Sequence, residues 1–177
     1  MRPLCAVLAV LALATGAAAG ERPMPFIAIE PLSTVVEPDD LFALSVVIGP
    51  DVHGVTGYDL VIDFDETLLD VTNVVEGALP AGSPPSYFWW TDQGTPSASI
   101  VINGALLGHD VDGPGVLAEL RFKALAIGFT PIHFVSVDLR DLDNNPITVT
   151  PIDGQVTIEP GSPVESVSWS RVKELFR

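Results

Sequence analysis

Gly54-Val55-Thr56-Gly57-Tyr58-Asp59-Leu60-Val61-Ile62-Asp63-Phe64-Asp65-Glu66-Thr67-Leu68-Leu69-Asp70 is the stretch that decides the fold. Tyr58, Leu60, Ile62 and Phe64 share one parity, and Gly57, Asp59, Val61 and Asp63 share the other. This is the period-2 pattern of a strand that buries one face and wets the other. Asp65 ends the alternation. Its carboxylate is placed to accept the N–H groups of Glu66 and Thr67, a turn that returns Leu68 to the core as the next strand begins. On the wet face Asp59, Val61 and Asp63 are either contacts for a protein partner or the solubilising surface of a solvated strand.

Working outward, apolar runs of strand length recur between Gly, Pro, Asp and Asn breaks, and no segment before the C-terminal tail keeps a helical period over three turns. The runs predict strands over Phe26–Pro31, Leu41–Ile48, Thr56–Phe64, Leu68–Val75, Tyr87–Thr91, Ser97–Leu106, Gly115–Leu125, Pro131–Leu139 and Gly154–Ile158. In the seventh, Val116, Ala118, Leu120, Phe122 and Ala124 fall on one face, against Glu119, Arg121 and Lys123 on the other. Short strands with turn chemistry between them and one wet face each predict an all-β fold. Its form is an antiparallel two-sheet β-sandwich of about nine strands. Pro80–Pro85 and Leu107–Pro114 read as loops.

Ahead of this domain, Met1-Arg2-Pro3, an apolar run from Leu4 to Ala14 and Gly16-Ala17-Ala18-Ala19-Gly20 have the layout of a secretory signal. Residues 1–20 are therefore predicted as a signal peptide cleaved after Ala19 or Gly20, residues 21–160 as one β domain, and residues 161–177 as a short tail. The apolar run is too short for a membrane span, which needs about 20 residues. An exported or cell-surface location follows. Cys5 is the only cysteine and lies ahead of the predicted cleavage site, so the processed domain must be held by packing without disulfides or thiolate metal sites.

The chain carries 23 Asp+Glu against 8 Lys+Arg, a formal net charge of −15. Only Arg22, Arg121, Lys123 and Arg140 supply positive charge between Glu21 and Pro160. Such a body repels nucleic acid and anionic membrane surfaces. In the tail, Trp169, Val172 and Phe176 are spaced for an amphipathic helix with Arg171, Lys173 and Arg177 around them; a sorting or attachment segment is the other reading.

Tyr87-Phe88-Trp89-Trp90 is the densest aromatic cluster. Alternation sends Phe88 and Trp90 one way and Tyr87 and Trp89 the other, so one pair can form a platform for sugar rings or a partner while the other enters the core. Asp141, Asp143 and Asn145 have the i, i+2, i+4 spacing that opens an oxygen-ligand calcium loop, with Asp138 nearby. Pro146 stands where such loops place Gly, and a hairpin tip built from turn residues fits the same letters. No other cofactor is indicated. His53, His109 and His133 are scattered, no Gly-x-Ser-x-Gly elbow is present, and the Asp63/Asp65 pair is explained by strand and turn. Catalysis is not expected.

The segment from Gly54 to Asp65 with Leu68 resembles the central strand and turn of cohesin domains. Gly115-Val116-Leu117-Ala118-Glu119-Leu120-Arg121-Phe122-Lys123 is similar to a later strand of that family, and Thr130-Pro131-Ile132 with Asp153-Gly154-Gln155-Val156-Thr157-Ile158 is similar to its last strands. The resemblance runs from about Phe26 to Glu159. It implies a nine-stranded jelly-roll sandwich that is extracellular and non-catalytic, related in fold to carbohydrate-binding modules, and it implies a dockerin module of a secreted, polysaccharide-degrading enzyme as the partner. Asp59 matches the family's outward dockerin-contacting Asp. Gly57 stands where the family often has Asn, and Leu107–Pro114 stands where it usually has a helical insertion. A carbohydrate-binding module using Tyr87, Phe88, Trp89 and Trp90, with polysaccharide as ligand, is the alternative; a structural surface domain is a third.

Overall fold

A computed structural model describes residues 25–82, 87–92 and 99–161, with Tyr87 described by its backbone alone. The signal segment 1–20, the tail from Ser162 on, and parts of the expected Pro80–Pro85 loop and Ser97–Leu106 strand lie outside the described residues.

The elements are β1 (Phe26–Glu30), β2 (Ser33–Val36), β3 (Leu41–Ile48), β4 (Gly57–Asp63), β5 (Leu69–Glu76), α1 (Ala78–Ala81), β6 (Tyr87–Asp92), β7 (Ser99–Leu106), β8 (Gly115–Ala124), β9 (Gly128–Arg140), β10 (Thr150–Ile152) and β11 (Gly154–Ile158). Five strands form one sheet in the order β10-β1-β3-β8-β5, and six form the other in the order β2-β11-β9-β4-β7-β6. Each of the nine expected strands is present. The two additional strands, β2 and β10, sit at sheet edges. They are short and rich in Ser, Thr and Pro, so they carry little apolar alternation to read. Both pair in parallel, β2 with β11 and β10 with β1, so the sheets are mixed where wholly antiparallel ones were expected.

The inner faces meet over a dry core. Tyr58, Leu60, Ile62 and Phe64 are buried together with Ile27, Ile29, Leu44, Val46, Ile100, Ile102, Leu120 and Phe122. Phe122 joins the two layers, edge-on to Phe64 at 5.4 Å and stacked with Phe42 at 5.6 Å. Side chains of this size stabilise by roughly 1.5–3 kcal/mol each when fully buried. The alternation expected of β8 breaks at one point. A bulge opposite Val46 and Val47 puts both Leu117 and Ala118 inside and leaves Val116 half-buried, because the extra residue shifts the strand's parity.

The turn after β4 is built on Asp65, with a changed hydrogen-bond set. Asp65 Oδ1 accepts the Thr67 N–H at 2.9 Å and the Thr67 hydroxyl at 2.6 Å, and the Asp65 N–H donates to the buried Thr130 Oγ1 at 3.0 Å. Thr67 thus supplies both donors, rather than Glu66 sharing them. Leu69 is the residue that returns to full burial, while Leu68 lies half-buried over Gly128. The Thr67 bonds hold the Asp65 carboxyl below its ordinary pKa.

Candidate functional site

The outward face of the six-stranded sheet places the residues singled out in β4. Gly57, Asp59, Val61 and Asp63 point away from the core, and the strand register extends each of them into a row. Phe88, Ala105, Gly57 and Arg140 make the first row, Trp90, Asn103, Asp59 and Asp138 the second, and Asp92, Val101, Val61 and Ser136 the third. Beyond a bulge at Val61/Ile62, Asp63 lies opposite His133. Side chains stand perpendicular to the sheet, so the rows form one surface across β6, β7, β4 and β9. Asp59 is exposed at its centre. Among the described residues no hydrogen bond or ion pair engages the carboxylate of Asp59 or of Asp63.

The aromatic cluster divides as its alternation requires. Phe88 is 55% and Trp90 46% exposed, both on the outward face beside Ala105 and Asn103. Trp89 turns inward and tilts against Tyr58 at 6.3 Å. Gly104 makes room for that pair, since a Cβ there would overlap the Tyr58 ring. The side chain of Tyr87 lies outside the described residues.

At the β9 end the acids are held in pairs. Asp138 Oδ2 accepts Arg140 Nη2 at 2.7 Å and Nε at 3.0 Å, and Arg140 Nη1 donates to the Asn144 carbonyl at 3.2 Å. The Asp138 carboxylate makes Arg140 harder still to deprotonate. Asp138 would otherwise face Asp59 across the ladder as a like charge. Further along, His133 Nδ1 is 2.6 Å from Asp153 Oδ2, and Asp153 Oδ1 accepts the Phe134 N–H.

Asp141, Asp143 and Asn145 come together as a tight turn. Asp141 Oδ1 accepts the N–H groups of Asp143 and Asn145 at 3.0 and 2.8 Å, and Oδ2 accepts the Asn145 amide at 3.1 Å. The Asn145 N–H, more than any other contact, holds the Asp141 carboxyl below its ordinary pKa. Asn144 takes φ 62° at the tip, a backbone region open to Asn. Among the described residues no cluster of three or more His, Cys, Asp or Glu is arranged to hold a metal.

Among the described residues, neither the His53 nor the His133 ring is bonded to a hydroxyl. His53 faces Asp112 and His133 faces Asp153. No helix among them is long and apolar enough to cross a membrane. Arg140, Asn103, Ala105 and Leu142 belong to the outward face or its margin and were not singled out from the sequence. Only the register of β7 and β9 on β4 brings them to Asp59. Arg140 alone carried a signal, as one of the few cations of the domain.

Comparison with known proteins agrees with this architecture. The family model of the cohesin domain matches residues 28–158. A stretch of 128 residues is 28% identical to cellulose-binding protein A of Clostridium cellulovorans, which covers 67% of this chain and 6% of that protein. The chain therefore spans a small part of the length of the relative it matches. Among solved structures, a cohesin–dockerin complex of type I from Clostridium thermocellum, containing the OlpC cohesin, superposes with TM-score 0.67 at 17% identity over 78% of this chain and 95% of that one. A non-cellulosomal cohesin from the archaeon Archaeoglobus fulgidus gives 0.64 at 19% identity over 81% and 95%. At such identities the likeness is one of fold, the jelly-roll β-sandwich.

Proposed function

The chain belongs to the cohesin family, and on that premise we propose that it is an exported, non-catalytic module that holds a dockerin-bearing protein on the outward face of β6, β7, β4 and β9. One observation carries the reading: Asp59 stands uncommitted at the centre of a continuous surface edged by exposed Phe88 and Trp90. Buried aromatic anchors around a central polar contact are where binding energy concentrates at protein interfaces. Solved relatives of the same fold include cohesins in complex with dockerins, which supports the choice of partner. The segment before Glu21 supports export, and the likeness to a cellulose-binding protein supports extending the proposal to a partner engaged in extracellular polysaccharide breakdown.

The test is capture of exported proteins from the source on immobilised domain, with Asp59→Ala and Trp90→Ala beside the unaltered chain. Retention of a dockerin-bearing protein by the unaltered chain, with loss by both variants, is expected. Equal retention by all three, or no dockerin-bearing protein retained, refutes the proposal. The exposure of Phe88 and Trp90 together on one strip also supports a second reading, a carbohydrate platform. Retardation of the domain in gels containing soluble polysaccharide, abolished by Phe88→Ala with Trp90→Ala, is the result that reading requires.

A further inference from the structure

Where the chain leaves β11, at the other end of β9 from Asp138, apolar side chains face solvent in a row. Thr157 is flanked in the ladder by Val35 of β2 and Phe129 of β9, and Val35 is 65% and Phe129 58% exposed. Ile127, 61% exposed, and Leu125 extend the patch into the turn before β9. The inward positions of these strands are already filled by the buried Val156, Ile158 and Thr130, so the core does not need Val35 or Phe129. Contiguous exposed apolar surface with a polar rim marks a site of interaction.

The rim is acidic. Glu37 and Glu159 continue directly from the paired Val36 and Ile158, and the Glu159 N–H donates to the Val36 carbonyl. Glu66 stands in the neighbouring turn, where the Leu125 N–H donates to the Leu68 carbonyl. Among the described residues no hydrogen bond or ion pair engages the carboxylates of Glu37, Glu66 and Glu159. The exit of the chain is fixed against the same rim: a Cβ at Gly161 would lie 2.6 Å from the Glu37 carboxylate.

We propose that residues 162–177 of the same chain fold back onto this patch, setting Trp169, Val172 and Phe176 against Val35, Ile127 and Phe129 and Arg171, Lys173 and Arg177 toward the free carboxylates. Reach permits it. Gly161 is four residues past Thr157, hence no more than about 14 Å from the row, and the eight residues from Gly161 to Trp169 span roughly 26 Å when extended. Charge complementarity selects the tail. Arg121, Lys123 and Arg140 are already paired with Glu119, Asp39 and Asp138, whereas the tail brings three of the chain's 8 Lys+Arg beside its apolar residues. A second copy would bring its own acids to the rim, and the formal net charge of −15 opposes that approach. The tether makes docking intramolecular, so a contact too weak to hold a free peptide suffices.

The chain from Glu21 onward contains no cysteine, so Ser170→Cys takes a single nitroxide label in the tail. Amide resonances of the 15N-labelled chain are compared with the nitroxide oxidised and reduced. Broadening of Val35, Ile127, Phe129 and the turn at Glu37 is expected, with β6 and β7 unaffected. Trp169→Ala with Phe176→Ala, or Val35→Ser with Phe129→Ser, should abolish it while the amide pattern of the other strands shows the domain folded; Arg171→Glu with Lys173→Glu should weaken it. Absent or evenly spread broadening, or broadening that survives the apolar double substitutions or ignores the charge reversal, overturns the proposal. So does equal broadening when spin-labelled chains without 15N are mixed with 15N-labelled chains that carry no nitroxide, which would assign the patch to a second copy.

Discussion

Two glycines of the same sheet separate packing from binding at the scale of single residues. Gly104 lies under the Tyr58 ring, where any Cβ overlaps ring atoms. Gly104→Ala should destabilise the fold by roughly 1–3 kcal/mol, read from denaturant unfolding, through the displacement forced on Tyr58 and Trp89. Gly57→Ala, whose added Cβ would meet only ordinary contacts, should change stability by less than about 0.5 kcal/mol. Unfolding curves that rank the two the other way would contradict the assigned packing. Leu60 gives the calibration for the core: fully buried on β4, its truncation to Ala should cost about 2–5 kcal/mol in the same assay. Asp59 belongs to the other class. Its removal should leave unfolding almost unchanged and act on partner affinity alone.

At the scale of elements, the strand β4 and its turn could be read from sequence because local and tertiary demands coincide there. The alternation from Tyr58 to Phe64 records burial against the opposite sheet, and Asp65 must turn the chain wherever that strand ends. β2 and β10 were not legible for the converse reason. As edge strands they gain order from one hydrogen-bonded neighbour, and their burial is slight. The bulge at Leu117 was hidden because parity in β8 depends on its pairing with β3, far away in sequence. The site shows the same division. Asp59 was visible as an outward residue of its own strand, and Phe88 and Trp90 as a pair sharing one face of theirs, whereas the exposure of that pair and the approach of Arg140 and Asn103 to Asp59 come only from the packing and register of the whole sheet. Thr130 links the turn to β9 by accepting the Asp65 N–H. Thr130→Val keeps the volume and orphans that donor, which should cost about 1–3 kcal/mol by thermal or chemical denaturation; an unchanged midpoint would show that the turn stands without it.

For the whole molecule, charge sets the response to pH. The net −15 at pH 7 is self-repulsion that favours expanded states. Lowering pH toward the sequence pI near 4.2 relieves it. Three carboxyls oppose that trend at lower pH. Asp39 is held down by the Lys123 ammonium at 2.8 Å, Asp65 by the Thr67 hydroxyl and N–H, and Asp141 by the Asn145 N–H and amide. A folded pKa below the unfolded value of about 3.9 means the folded state binds fewer protons, so this stabilisation is fully present above that value and is lost as pH falls from it through the lower folded pKa. The melting temperature should therefore rise from pH 8 to about pH 5 and fall below about pH 4. A monotonic rise down to pH 3 would show that the three carboxyls contribute nothing.

The central claim is that the sheet bearing β4, and not its opposite, carries the binding face. Calorimetric titration of the captured dockerin-bearing partner into the unaltered domain, Asp59→Ala, Trp90→Ala and Leu41→Ala tests it, since Leu41 is exposed to solvent on the five-stranded sheet. Asp59→Ala and Trp90→Ala should each weaken binding by about 30-fold, a loss near 2 kcal/mol, while Leu41→Ala binds as the unaltered chain does. Loss of binding in Leu41→Ala, with Asp59→Ala and Trp90→Ala unimpaired, would place the partner on the other sheet and contradict the account.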